Sequence, residues 1–193
     1  SLGLRLVLVV ILPAAVGLLV LGKPIIALIF QHGEFTPEDT LQSWRALGYY
    51  LPGLPFAAID LPLVFAFYAQ KDTVTPVVVG IVGVLFYLAV GPALAFAVGW
   101  GFLGLVVANS VQLTGHALIM LLLFARRFGG LGDYRVLQTA GKATAASLLA
   151  GIASYSCYAL LSHLPLPAGL VGRVLIVGLC AGLGILGYVV GAQ

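Results

Sequence analysis

Between Ala46 and Ala69 the chain carries a single charged side chain, Asp60, in an apolar run notched by Pro52, Pro55 and Pro62. A hydrocarbon span needs about 20 apolar residues, so this stretch is long enough to cross a bilayer. A carboxylate in the middle of such a span costs about 2.5–3.5 kcal/mol on insertion scales. Asp60 must therefore face protein or water, either as part of a functional site or as the partner of a neighbouring helix. The run ends in the polar segment Gln70-Lys71-Asp72-Thr73, and Pro76 opens the next apolar stretch.

The remainder of the chain has the same character. Hydrophobic residues make up 62% and charged residues 8%, against about 25% charged in ordinary soluble domains. With a mean hydropathy of +1.16, the expected fold class is an all-α polytopic membrane protein. The net charge of +3 comes from basic residues scattered at segment ends, which excludes a nucleic-acid-binding stripe. Cys157 and Cys180 lie inside apolar runs with neither metal-ligand spacing nor disulfide logic, and read as small core residues. The opening SLGLRLVLVV has no initiating Met and no signal-peptide n-region, so the chain is expected to begin inside a longer protein.

Six spans are expected: 4–30, interrupted at Pro13 and Lys23-Pro24; the Asp60 span; 77–98; 102–124; 143–161; and 170–190. Pro24 is expected to kink the last turns of the first. Thr36 is a plausible N-cap for the second, with Pro37 at the first helical position and Glu38 and Asp39 in the first turn. The glycine-rich segment 128–142 reads as a loop. Arg5, Lys71, Arg126, Arg127, Arg135 and Lys142 fall on one side of the six-span count, and Lys23, Arg45 and Arg173 on the other. The excess of Lys and Arg marks the cytoplasmic side. Trp44 and Trp100 then share the outer interface.

In the fourth span, Asn109, Gln112 and His116 recur at steps of three and four, so they share one helix face. At membrane depth such a stripe either lines a cavity or glues helices together. Ser110 and Thr114 lie off that line and can bond back to their own helix. Counted from the basic residues at the cytoplasmic ends, Asp60 and His116 lie at the same depth, about 15 Å in. In the last two spans, Gly178/Gly182 and Gly187/Gly191 form G-x-x-x-G steps. Close packing of these two helices is expected, with a shallow lipid-facing groove, and replacing Gly182 by Leu should disturb it. There is no G-x-S-x-G, H-E-x-x-H, P-loop or G-x-G-x-x-G. No catalytic, metal or cofactor site is expected. Proline-broken helices around an intramembrane carboxylate point to a transporter.

Two stretches carry a resemblance. LPAAVGLLVLGKPIIALIFQHGEFTPEDT contains Ile29, Phe30, His32, Gly33, Phe35 and Thr36 in an L-F-x-R/H-G-x-F-T pattern. GLPFAAIDLPLVFAFYAQKDTVTPV contains Phe67, Tyr68, Ala69, Asp72, Thr73, Thr75 and Pro76 in an F-Y-A-x-x-D-T-x-T-P pattern. Over about residues 10–80 this resembles the second half of the MurJ (MviN) lipid II flippases. The resemblance implies a MATE-like fold of two six-helix lobes around a central cavity, followed by two extra helices. On that mapping residues 1–130 supply four helices of the second lobe and 131–193 the additional pair.

The function so implied is alternating-access transfer of lipid-linked peptidoglycan precursor across the bacterial inner membrane. The implied partners are lipid II, membrane lipids and the N-terminal lobe that precedes this segment, with no nucleic acid. Coupling would be to membrane potential, proton or sodium. Some members bind sodium on the helix matching 77–98, where this sequence offers only Tyr87 and no carboxylate, which argues against that site. Asp60, Asn109, Gln112 and His116 are the cavity candidates. An exporter of another lipid-linked oligosaccharide or of a drug, and a transport-inactive membrane scaffold, are the alternative readings.

Overall fold

The structure, a computed structural model, describes residues 2–128, 134–162 and 170–191. The described residues form helices and their connecting turns, with no strand. The helices are α1 (Leu2–Phe30), α2 (Pro37–Tyr50), α3 (Leu54–Ala69), α4 (Val74–Pro92), α5 (Phe102–Phe128), α6 (Tyr134–Ser162) and α7 (Leu170–Gly191). A 3-10 turn at Leu51–Gly53 joins α2 to α3, and a π-helical turn at Ala93–Ala97 extends α4. Counting α2 with α3 and α4 with its extension, six helical stretches are long and apolar enough to cross a membrane.

Proline acts differently at different sites. Pro13 and Pro24 lie inside α1, which runs unbroken through both, so the interruptions expected there do not end the helix. Within hydrocarbon every other backbone group still needs its intrahelical partner, and the loss of one bond does not end the helix. Pro62 is likewise accommodated inside α3. Pro52 and Pro55 lie close together, and neither has an N–H to donate, so α2 stops at Tyr50 and α3 restarts at Leu54. Residues 134–142 belong to α6 rather than to a loop, because Val136, Leu137, Gln138 and Ala140 are acceptable helix formers and Gly141 is tolerated. The rest of the expected loop, 129–133, lies outside the described residues.

The contacts divide the chain into two compact units, 1–11 with 49–140 and 12–48 with 141–193. The first is centred on Leu63 and Phe67 of α3, Val79 of α4 and Met120 of α5, with Leu4, Ile59 and Phe124 packed around them. Phe67 and Phe124 meet edge to face with ring centroids 6.3 Å apart. In lipid, apolar burial alone does not drive helices together, so close packing must, and glycines provide it. A Cβ on Gly53 would lie 2.7 Å from the Ser110 hydroxyl oxygen, and one on Gly104 would lie 2.7 Å from backbone atoms of Leu94 and Ala95.

In the second unit, Gly184, Gly187 and Gly191 of α7 face Ser154, Ala150 and Ala146 of α6. The buried Ser154 hydroxyl donates to the Cys180 carbonyl at 3.0 Å, and the Cys180 and Cys157 sulfurs are 3.1 Å apart. A Cβ on Gly182 would meet nothing within 4 Å. Gly182 therefore does not face α6, and a Gly182→Leu side chain would point into open space. The packing face follows positions 180, 184, 187 and 191, spaced at helical intervals, and the G-x-x-x-G step that ends at Gly182 is off it.

Both resemblance motifs are turns. Gly33 adopts φ +63°, and the Phe30 and Phe35 rings close over the turn at 6.0 Å. The Asp39 N–H donates to Thr36 Oγ1 at 3.2 Å, and the Thr36 N–H donates to Asp39 Oδ2 at 2.8 Å. This reciprocal cap confirms the expected start of α2. After α3, Lys71 N–H bonds to the Tyr68 carbonyl and Asp72 N–H to the Phe67 carbonyl, the Schellman pattern. Its left-handed position is filled by Lys71 at φ 60°. Glycine adopts that conformation without strain, so Lys71→Gly should stabilise the fold by about 0.5–1 kcal/mol. A raised Tm of the purified protein would show it, and a lowered Tm would contradict it.

Candidate transport site

The polar face of α5 is turned toward α3 and α4. Asn109 Nδ2 donates to Gln112 Oε1 at 3.3 Å, which orients the amide one turn before His116. His116 Nδ1 lies 2.9 Å from Asp60 Oδ1 of α3. Both side chains are largely covered, at 13% and 21% exposure. Asp60 Oδ1 accepts no aligned hydrogen bond, so the approach is a close polar contact rather than a directed bond. The equal depth read from the sequence thus ends in contact.

Space for these side chains comes from α4. A Cβ on Gly83 would lie 3.3 Å from the Gln112 side-chain nitrogen, and one on Gly80 would lie 3.9 Å from His116 Nε2. The two glycines, one helical turn apart, leave room where bulkier residues would displace the imidazole and amide. Sequence reading passed over them because it searched that span for ligands and found only Tyr87. The available signal was the G-x-x-G step itself, on a span without charge.

A groove of about 520 Å³ opens here, with Asp60, Gln112 and His116 on its polar side and Ile81, Val84 and Leu85 on its apolar side. Asn109 does not line it and acts through Gln112. Thr114 donates back to the Ser110 carbonyl at 2.8 Å, and Ser110 is buried against Gly53, so neither belongs to the groove. The result is an amphipathic notch at mid-span, able to hold a hydrated or hydrogen-bonding group beside an apolar chain.

The motif residues after α3 form the turn at the end of this unit. Asp72 Oδ1 accepts the Thr75 N–H at 3.0 Å and Oδ2 accepts the Thr75 hydroxyl at 2.7 Å, while Arg127 of α5 pairs with the same carboxylate. Thr73 occupies the N-cap without a side-chain cap bond, and Pro76 is buried in the first turn of α4. The Thr75 backbone N–H, then its hydroxyl and then the Arg127 guanidinium hold the Asp72 carboxyl below the usual carboxylate range. Its contribution to stability is complete above the ordinary carboxylate pKa and fades only as pH falls through the lowered value. Phe67 is buried in the core, and Tyr68 is exposed beside it. In the other unit His32, Gly33 and Phe35 shape the turn before α2 and line no cavity described here. Apart from the exposed Tyr68, these motif residues are turn and core residues.

Comparison with known proteins agrees with this architecture. Residues 1–177 match the profile of the family described as lipid II flippase MurJ. The probable lipid II flippase MurJ of Vibrio cholerae is 36% identical over 110 residues, covering 57% of this chain and 21% of that protein. The lipid II flippase MurJ of Thermosipho africanus is 31% identical over 123 residues, covering 64% of this chain and 25% of that protein. A solved structure, lipid II flippase MurJ in an inward closed conformation, superposes with a TM-score of 0.73 at 24% identity. The superposition covers 97% of this chain and 36% of that one, and shows the fold. The matched segment is about a quarter or less of these curated relatives' length. From the residues matched and the fold they adopt, the chain belongs to the lipid II flippase MurJ family.

Proposed function

We propose that this chain is the C-terminal part of a flippase that moves lipid II from the inner to the outer leaflet by alternating access, and that it transports without catalysing a covalent step. Family membership and the six helices place it in the bacterial inner membrane as a multi-pass protein. In this reading residues 1–130 belong to the second lobe and 131–193 are the additional pair. The N-terminal lobe of the same protein would supply the opposite wall of the cavity. The cycle would draw on membrane potential or an ion gradient rather than on a bound cofactor.

The observation that carries the reading is the Asp60–His116 contact, which lines a mid-span groove together with Gln112. A lipid chain lacks groups that reward such residues, whereas the sugar, peptide and pyrophosphate of a lipid-linked precursor present donors and acceptors. The test is expression of the full-length protein in a strain depleted of its own flippase. Restored growth, with lipid II again reaching the outer leaflet, is the expected result. Membrane expression without either effect would reject the assignment, and restored growth without lipid II transfer would indicate another cargo.

A further inference from the structure

We propose that the second unit carries a binding site for a zwitterionic aminophospholipid headgroup at the outer interface, separate from the groove beside Asp60. A pocket of about 580 Å³ lies among α1, α2 and α6, with Lys23, Glu38, Trp44, Tyr155 and Tyr158 among its lining residues. Three helices bring their key residues to one level. Lys23 is seven residues from the end of α1 at Phe30, Trp44 is seven from the start of α2 at Pro37, and Tyr155 is seven from the end of α6 at Ser162. At 1.5 Å per residue each lies about 10 Å in from its helix end. That is the zone where a bilayer passes from acyl chain to headgroup and where aromatic side chains concentrate.

The charges select the occupant. Lys23 is exposed and has no ion-pair partner among the described residues. An ammonium at this depth needs a counter-charge or a route to water, and a lipid phosphate supplies the former. Glu38 lines the same pocket but sits one residue from the outer end of α2, so along the helix axes the carboxylate lies outside the cation. A phosphoethanolamine headgroup has the matching order, with its phosphate deeper and its ammonium toward water. Trp44 and the two tyrosines offer ring faces to that ammonium and hydrogen-bond donors to the phosphate and ester oxygens. Val20, Ala27 and Leu41 complete an apolar flank for the first methylenes. Phosphatidylglycerol would satisfy Lys23 through the same phosphate but would offer Glu38 a neutral glycerol in place of the ammonium. The site does not depend on what the mid-span groove carries.

The experiment is native mass spectrometry of the full-length protein titrated with phosphatidylethanolamine and phosphatidylglycerol of matched chains. The wild-type protein should retain phosphatidylethanolamine in preference by about threefold or more. Lys23→Gln should lower its retention about fivefold, with Lys23→Arg restoring it, and Glu38→Gln should abolish the preference. Trp44→Leu, a second route to the same loss, guards against misfolding of the lysine variant, and an unchanged Tm certifies each protein used. Equal or stronger retention of phosphatidylglycerol by the wild type would overturn the proposal. So would wild-type retention of phosphatidylethanolamine by the folded Lys23→Gln protein.

Discussion

Asp60→Asn in the full-length protein should reduce lipid transfer by tenfold or more, a barrier change of about 1.4 kcal/mol, and abolish rescue of a flippase-depleted strain. The substitution keeps the shape of the side chain and removes the charge that His116 approaches at 2.9 Å. The imidazole would then sit between Gly80 and a neutral amide, without the carboxylate that fixes its position. His116→Gln should produce a similar defect from the other side. Because the two groups act as one unit, the double variant should be little worse than either single variant. Growth and membrane abundance must be measured together. Normal growth of the Asp60→Asn strain at normal abundance would leave Asp60 a structural residue, and fully additive defects would mean that the pair does not work as a pair.

The largest effect on stability should come from Gly104→Ala. The added methyl would lie 2.7 Å from the Leu94 carbonyl carbon and the Ala95 nitrogen. These are backbone atoms of the π-helical turn and cannot rotate away as a side-chain tip can. The helices must separate, at about 3 kcal/mol, in a setting where close packing holds them together. The expected result is a steep loss of folded protein and a Tm several degrees lower in detergent. Gly182→Ala is the matched control, since its methyl meets nothing within 4 Å. It should behave as wild type, and equal Tm values for the two variants would contradict the packing described.

The number of spans and the cap at Thr36 were legible because each rests on local chemistry: runs of apolar residues, and a hydroxyl three residues before a carboxylate. The shared face of Asn109, Gln112 and His116 was legible for the same reason, being fixed by helical periodicity alone. Other features depended on what lies across a helix interface. Whether Pro24 or Pro52 ends a helix depends on neighbouring prolines and on the packing that surrounds the freed carbonyls. Of the glycines in α7, Gly184, Gly187 and Gly191 pack against α6 and Gly182 does not, and spacing alone could not separate these faces. Gly80 and Gly83 were missed because a residue that works by leaving space carries no chemical signature of its own.

The meeting of Cys157 and Cys180 has a practical consequence. Their sulfurs lie 3.1 Å apart across α6 and α7, close enough that a small adjustment would bring them to bonding distance. The protein therefore holds a native proximity reporter between these two helices. Oxidative crosslinking of the unaltered pair, followed across stages of a working cycle, can time any parting of α6 from α7 without inserting foreign cysteines into a bilayer-embedded interface.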